Sequence, residues 1–193
     1  MKKLAGALLF FLFASGFGQS LVLTPNGLRD SADTSRTFVV LKVDDADSAQ
    51  VFKEAVHWIH RWFSHGGEAI QDSTLNKDIK YHIVAGGITD IPYKVFGMKM
   101  HDHLTVDYKV ELAFKGTRIR YEVVKYNLYM AESDTKIGDV DISNSGKSGS
   151  NPAIYIDTTL KLDNAKRDIE AYFNDEIKSI RDTINAETKK ASW

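Results

Sequence analysis

The sequence contains no cysteine, and this absence excludes several classes of function. Disulfide bonds, thiolate zinc sites, a cysteine nucleophile and a lipid-modified N-terminal cysteine all require the missing residue. The chain also lacks a nucleophile-elbow motif, a recognisable catalytic triad and a pair of carboxylates with catalytic placement. We therefore predict no catalytic residues and no cofactor, and a hydrolase with an unrecognised site is only the third functional hypothesis.

Long apolar runs are also missing, apart from one short segment at the N-terminus. Two lysines at residues 2–3 precede ten mostly apolar residues, Leu4–Phe13, and small residues follow them. A stable transmembrane helix needs about 20 apolar residues, so this pattern is typical of a secretory signal peptide. We predict cleavage after Gly18, with cleavage after Ser20 and a retained N-terminal anchor as alternatives. The mature chain, without a transmembrane segment, is then expected in the periplasm or outside the cell.

An excess of positive charge is absent too. Cleavage after Gly18 removes two of the 25 basic residues and none of the 26 acidic residues, so the mature chain carries three more acidic than basic side chains. Binding to a nucleic acid requires a basic face that neutralises phosphates. We therefore expect no nucleic-acid partner.

The clearest structural pattern is an antiparallel hairpin over residues 103–128. Six large apolar side chains alternate with polar ones along its first arm: Leu104, Val106, Tyr108, Val110, Leu112 and Phe114. A period of two predicts a strand with one buried face. Gly116 supplies the turn, and alternation resumes through Ile119 and Tyr121. Its phase changes at residues 123–124, which predicts a β-bulge there.

Two amphipathic helices are predicted, one in each half of the chain. Asp47 is placed to cap a helix over residues 47–63, which ends at Gly66-Gly67. Its apolar stripe comprises Phe52, Ala55, Val56, Ile59, Trp62 and Phe63, with Trp58 at the edge. A C-terminal helix over residues 159–190 carries an apolar face formed by Ile169, Phe173, Ile177, Ile180 and Ile184. We expect this face to cover the open side of the sheet.

The remaining segments complete a single α+β domain. Short β-branched or alternating runs predict strands at residues 38–43, 68–71 and 79–85, and a loop is predicted over 88–102, with a frayed strand inside it as the alternative. The predicted fold is an antiparallel sheet of about five strands, ordered strand, helix, four strands, helix along the chain, with both helices on one face. The predicted organisation is a signal peptide at 1–18, a flexible leader at 19–36 and one domain at 37–193 that includes a long flexible loop at 131–153.

Two stretches resemble a known protein family. They are VVLKVDDADSAQVFKEAVHWIHRWF at the first strand and helix, and FKGTRIRYEV at the hairpin turn. With the strands between them they cover roughly residues 37–130, and they resemble the secreted bacterial domain-of-unknown-function 4468 family, which has a TATA-box-binding-protein-like fold. The family's aromatic-rich first helix matches Trp58 and Phe63, and its basic-aromatic run matches Arg118, Arg120 and Tyr121. An acidic residue expected at the turn is replaced near Gly116. The resemblance implies a fold and an exported location but no functional site, since the family's function is not established.

Two pairs of histidines are candidate metal ligands. His57 and His60 lie one turn apart on the first helix, with His65 beyond its end, and His101 and His103 share one strand face. No zincin-type motif accompanies either pair, so boundary histidines are the favoured interpretation and no metal site is predicted.

The favoured function is a non-catalytic exported module that binds a small ligand, a lipid or an envelope partner between the sheet and the helices. Arg118 and Arg120 share the wet face of the second hairpin arm, where they suit a carboxylate or phosphate, although cross-strand pairing with Asp107, Lys109 or Glu111 is the favoured alternative. The candidate ligand-binding residues are Trp58, Trp62, Tyr108, Arg118, Arg120 and Tyr121, with Phe173 as a further lining residue. For the aromatic residues among them, a plain core position is the favoured alternative. The alternative function is a structural module that docks through the C-terminal helix or a sheet edge.

Overall fold

The computed structural model describes residues 19–43, 46–63, 70–74, 78–95, 98–132, 135–144, 153–156 and 159–191. The predicted signal peptide, Gly66-Gly67 and His65 lie outside these ranges. In chain order the elements are β1 (Leu21–Thr24), β2 (Gly27–Asp30), β3 (Phe38–Lys42), α1 (Ser48–Trp62), β4 (Ile70–Thr74), β5 (Asp78–Ala85), β6 (Asp90–Val95), β7 (Met98–Lys115), β8 (Arg118–Glu132), β9 (Thr135–Asp139), β10 (Asp141–Asn144), β11 (Ala153–Ile156), β12 (Thr159–Leu160) and α2 (Asp163–Ala191).

The long hairpin of β7 and β8 is the centre of the main sheet, as the alternation predicts. Its turn contains Gly116 at a φ of +60°, which suits glycine because it has no Cβ. In the register, Lys109 pairs with Lys125 and Val110 with Val123, so that Val124 is an extra residue on β8. The predicted bulge is therefore confirmed. It keeps Tyr126 and the inward residues beyond it on the same face as Ile119, Tyr121 and Val123.

The main sheet has the strand order β3-β8-β7-β5-β4, with β6 added to β7 and β9 added to β8. All of these pairs are antiparallel. Both helices cover the face that carries Tyr108 and Phe114, because Phe52 of α1 contacts Phe114 and Phe173 of α2 contacts Tyr108. The α+β class, the antiparallel sheet and the position of both helices are thus confirmed.

Helix α1 begins as predicted, but its buried face is rotated from the predicted stripe. The Asp47 side chain accepts a hydrogen bond from the Gln50 backbone amide at 2.8 Å. Trp58 is buried, whereas Trp62 is half exposed. The reason is that α1 packs against α2 as well as the sheet: Trp58 lies against Tyr81 of β5 and donates its indole N–H to Ser179 of α2 at 2.9 Å.

Three segments differ from the predicted irregular structure. Residues 21–30, within the predicted flexible leader, form the β1–β2 hairpin, whose buried leucines contact the core. Strand β6 lies within the predicted loop over 88–102. It contains Pro92, which an edge strand paired only to β7 tolerates. Within 131–153, the strands β9 and β10 and the start of β11 are present, and β12 precedes a helix that begins at Asp163 rather than at residue 159.

The β1–β2 hairpin is held by side chains of α2 in place of a third strand. Asn174 accepts a hydrogen bond from the Leu21 amide at 2.8 Å and donates one to the Leu21 carbonyl at 3.0 Å. Glu170 accepts from the Leu23 amide at 2.7 Å, and the Tyr155 hydroxyl donates to the Leu23 carbonyl at 2.8 Å. These contacts satisfy backbone groups that an isolated two-stranded hairpin would leave to water.

Candidate functional site

The structure does not bring the six predicted ligand-binding residues together. Trp58, Tyr108 and Tyr121 are each at most 1% exposed and belong to the core, as does Phe173. Trp62 lies on the outer side of α1, where its ring stacks on Trp58 with centroids 5.9 Å apart. The roles of these residues in binding stay a prediction.

Arg118 and Arg120 lie on the opposite side of the sheet from Tyr121. Arg120 pairs with Glu122 on its own strand, and its guanidinium lies 4.9 Å from the centre of the Phe38 ring. Its cross-strand neighbour on β7 is Ala113, so the register does not place it opposite Asp107, Lys109 or Glu111. The Glu122 carboxylate therefore already binds one nitrogen of the Arg120 guanidinium.

A buried carboxylate that the sequence analysis missed lies in the core. Glu176 of α2 is 1% exposed and accepts hydrogen bonds from three phenol hydroxyls. Tyr108 donates to one oxygen at 2.7 Å, and Tyr81 and Tyr121 donate to the other, Tyr121 at 3.1 Å. Burial raises the pKa of Glu176 from 4.5 to about 6, and the three hydrogen bonds limit the rise. Burial and the neighbouring Glu176 carboxylate also raise the pKa of all three tyrosines.

This Glu–Tyr cluster has the chemistry of an active site but not its accessibility. All four side chains are at most 1% exposed, and the helix and the sheet enclose them. The carboxylate is therefore shielded from solvent by the residues that the structure describes. The cluster therefore fixes the position of α2 over the sheet by hydrogen bonds. Its signal in the sequence is a glutamate three residues after Phe173 and four before Ile180, within the apolar face of the helix.

Two of the candidate histidines lie beside carboxylates. His57 lies 3.5 Å from Glu54, and both line a polar cleft of about 420 Å³ with His60, Arg61 and Glu187. On β7, His103 lies 2.9 Å from Asp90, and His101 is exposed. Within the described ranges, no group of three or more histidine, aspartate or glutamate side chains is arranged to hold a metal ion.

A second cleft, of about 510 Å³, lies between the β1–β2 hairpin and the bulge of β8. We call it the hairpin–bulge cleft. Its lining residues are Pro25, Asn26, Gly27, Leu28, Arg29, Thr37, Val123, Val124, Lys125, Tyr126 and Ile142. The Val124 side chain, displaced by the bulge, is half exposed there. The cleft thus combines apolar walls with two cationic side chains.

Tyr126 gives this cleft an unsatisfied polar group. Its hydroxyl is buried, and no group within the described part of the chain accepts its hydrogen. Burial raises the pKa of Tyr126 to about 12, while the Leu28 backbone and Arg29 lower it somewhat. The hairpin approaches this ring closely, since a Cβ at Gly27 would lie 3.1 Å from the hydroxyl. A buried hydroxyl without an acceptor costs free energy, which a ligand that accepts its hydrogen would recover.

The cations of the cleft are available to a ligand. One guanidinium nitrogen of Arg29 donates to the Asn26 carbonyl at 2.8 Å, and its other donors make no hydrogen bond or ion pair within the described residues. Lys125 is exposed, and no ion pair holds it within the described residues. Glu122, which directly precedes the cleft residue Val123, is engaged by Arg120 and by the Thr37 hydroxyl. The local charge therefore favours an anion.

Sequence patterns gave partial signals for this cleft. Asn26-Gly27 between apolar residues is a strong hairpin signal, and the phase change on β8 marks the bulge. Their proximity has no local signal, because residues 25–29 and 123–126 are almost a hundred positions apart.

Two solved structures are similar to this chain at low sequence identity. No protein-family model matches the sequence, and no curated protein matches it. Among solved structures, a DUF4468 family protein from Bacteroides ovatus ATCC 8483 has a TM-score of 0.49 and 14% identity, over 76% of this chain and 84% of that chain. A TBP-like protein from Parabacteroides distasonis ATCC 8503 has a TM-score of 0.47 and 13% identity, over 76% and 90% of the two chains. Both names agree with the family resemblance in the sequence.

Neither described helix combines the length and the hydrophobicity needed to cross a lipid bilayer.

Proposed function

We propose that the protein is a non-catalytic, exported binding module whose ligand occupies the hairpin–bulge cleft. The observation that carries this proposal is the buried Tyr126 hydroxyl, which lies in a cleft with two cations and has no acceptor among the residues that the structure describes. A ligand suited to these groups carries a carboxylate and an apolar part. The carboxylate would accept from Tyr126 and meet the charges of Arg29 and Lys125. The apolar part would lie against Val123 and Val124.

The second function considered, docking through a sheet edge, is supported at the same place. The outer edge of β8 forms one wall of the cleft, so a partner's main chain would use the same residues as a small anion. Docking through α2 is less well supported, because its apolar face is already buried against the sheet.

The test is a titration of the mature chain with 3-methylbutanoate, a branched aliphatic carboxylate, followed by two-dimensional NMR. We expect saturable shifts confined to the cleft residues. Because a hydrogen bond to a charged group contributes roughly 1.5–3 kcal/mol, Tyr126→Phe should weaken binding by about tenfold or more. Arg29→Gln combined with Lys125→Gln should have an effect at least as large.

Two matched controls accompany these variants. Tyr129→Phe removes a hydroxyl from the same strand outside the cleft lining, and Lys80→Gln removes an exposed charge on β5. Both should bind like the wild type. Shifts elsewhere in the domain, or equal affinity for Tyr126→Phe and the wild type, would contradict the proposal. Native mass spectrometry of protein purified from its own envelope fraction would then identify the natural ligand by its mass.

A further inference from the structure

The outer edge of β8 is open at the hairpin–bulge cleft. On one side of β8, β7 pairs with nearly its whole length. On the other side, β3 pairs with residues 118–122 and β9 with residues 129–132. Within the described part of the chain, residues 123–127 have no strand partner on that side. Five residues of strand span roughly 17 Å, so the open edge has the length of a short peptide.

The backbone of Tyr126 faces this gap. The Leu128 carbonyl accepts a hydrogen bond from the Val140 amide at 2.8 Å, so the Leu128 peptide groups point away from β7. In an antiparallel strand, the N–H and C=O of one residue point to the same side of the strand. Residues two positions apart direct these groups to the same side. The N–H and C=O of Tyr126 therefore also point away from β7, into the gap. An unpaired donor and acceptor at strand spacing are what an added strand would bind.

The cleft follows the gap from end to end. Thr37, just before β3, lines one end, and Ile142 of β10 lines the other, while Val123–Tyr126 form the wall between them. The strands β3 and β9 lie in line with the gap and close it at both ends. They limit an occupant in the plane of the sheet to about three or four extended residues.

We propose that the ligand of the hairpin–bulge cleft is a short extended peptide with a free carboxylate, which pairs with the Tyr126 backbone as an additional strand. This inference rests on the proposed function and names the ligand class of the same site. A peptide main chain supplies the N–H and C=O that the edge lacks, and its terminal carboxylate suits Arg29, Lys125 and the Tyr126 hydroxyl. The main-chain contacts are independent of side-chain identity, so recognition would depend on length and on the free terminus.

The test uses the N-acetylated tripeptide valine-alanine-valine with a free carboxylate, and the mature chain. At saturation, hydrogen exchange of the Tyr126 amide should slow by at least tenfold, because the amide gains an acceptor. The peptide with an amidated C-terminus should bind about tenfold more weakly. The affinity of a peptide methylated on its central backbone nitrogen should also be about tenfold lower than that of the unmethylated peptide. The Ile79 amide serves as an internal reference, because Ile79 lies on β5, which is paired on both sides, by β4 and β7. Its hydrogen exchange should not change.

The outcomes separate this inference from the proposal beneath it. If 3-methylbutanoate binds in the cleft but backbone methylation has no effect and Tyr126 exchange is unchanged, strand addition is overturned and the anion site stands. If the tripeptide and 3-methylbutanoate both fail to bind, the proposed function fails as well, and the strand-addition inference fails with it. Slower Tyr126 exchange together with sensitivity to methylation supports strand addition.

Discussion

At the scale of single residues, Glu176 occupies a position of α2 whose neighbours on the same face are isoleucine and phenylalanine. A carboxylate at such a position is costly unless donors surround it, and three phenols do so here. The arrangement rigidly relates α2 to β5, β7 and β8, since each of these strands contributes one phenol. Replacing Glu176 and its three tyrosines with apolar side chains of similar size would keep the packed volume of the core. It would remove the hydrogen bonds that orient α2 on the sheet.

The stability of the domain should depend on pH through this carboxyl. Its folded pKa, about 6, lies above the ordinary value of 4.5, so the fold favours the protonated form. The group therefore reduces stability at pH above 6, and the loss disappears as the pH falls towards 4.5. The shift corresponds to roughly 2 kcal/mol. Between pH 7.5 and pH 4.5, the wild type should gain about this much unfolding free energy relative to Glu176→Gln in denaturant titrations. A constant difference across that range would contradict the prediction.

At the scale of elements, the sequence predicted the strands and helices whose buried side chains recur at a regular period along the chain. The first arm of the β7–β8 hairpin has an unbroken period of two, and a glycine forms its turn, so both strands were predicted. The bulge was predicted because the phase of the second arm changes at residues 123–124. The β1–β2 hairpin was missed, although Asn26-Gly27 signals it, because four-residue strands gain their stability from α2 rather than from their own pattern. Strand β6 was predicted only as the alternative to a loop, because Pro92 normally argues against a strand.

Deleting Val124 tests the role of the bulge. Without this residue, β8 becomes a regular strand in which Tyr126, Leu128 and Met130 keep their inward positions. Because Val124 is half exposed, we expect the unfolding free energy to change by no more than about 1 kcal/mol. Binding of 3-methylbutanoate should be lost, since the bulge shapes the cleft. Calorimetry and the NMR titration provide the two measurements.

The control for this deletion is the removal of Asn127, three positions further along the same strand. That change places either Lys125 in the core or Leu128 on the solvent side, because a one-residue shift exchanges the faces of the strand. It should lower the unfolding free energy by about 2 kcal/mol or more. If the two deletions lower the unfolding free energy equally, Val124 is not a dispensable extra residue of β8.

At the scale of the whole molecule, α2 completes the core. Five large apolar side chains of this helix are each at most 2% exposed: Ile169, Phe173, Ile177, Ile180 and Ile184. At about 1.5–3 kcal/mol each, their burial is comparable with the entire stability of a typical domain, which is 5–15 kcal/mol. The apolar period of the helix made this role predictable. The cleft was not predictable, because its walls come from four separate parts of the chain.

A chain without residues 169–193 should therefore not fold. We expect it to lose the cooperative unfolding transition and the near-ultraviolet circular dichroism of the buried aromatic residues. A full-length chain carrying Lys178→Gln, an exposed position of α2, should unfold like the wild type. If the truncated chain unfolds cooperatively, α2 is an accessory element, and the docking function considered for it regains support.

The hydrogen bonds between Asn174 and Leu21 join positions that are 153 apart in the chain. Contacts of such long sequence separation slow folding, because the loop between them must close before they contribute. During synthesis from the N-terminus, β1 leaves the ribosome long before its partner α2 exists. The hairpin therefore stays undocked until the chain is essentially complete, and its capture is expected among the last steps of folding. The earliest part of this domain to be made is among the last to acquire its native surroundings.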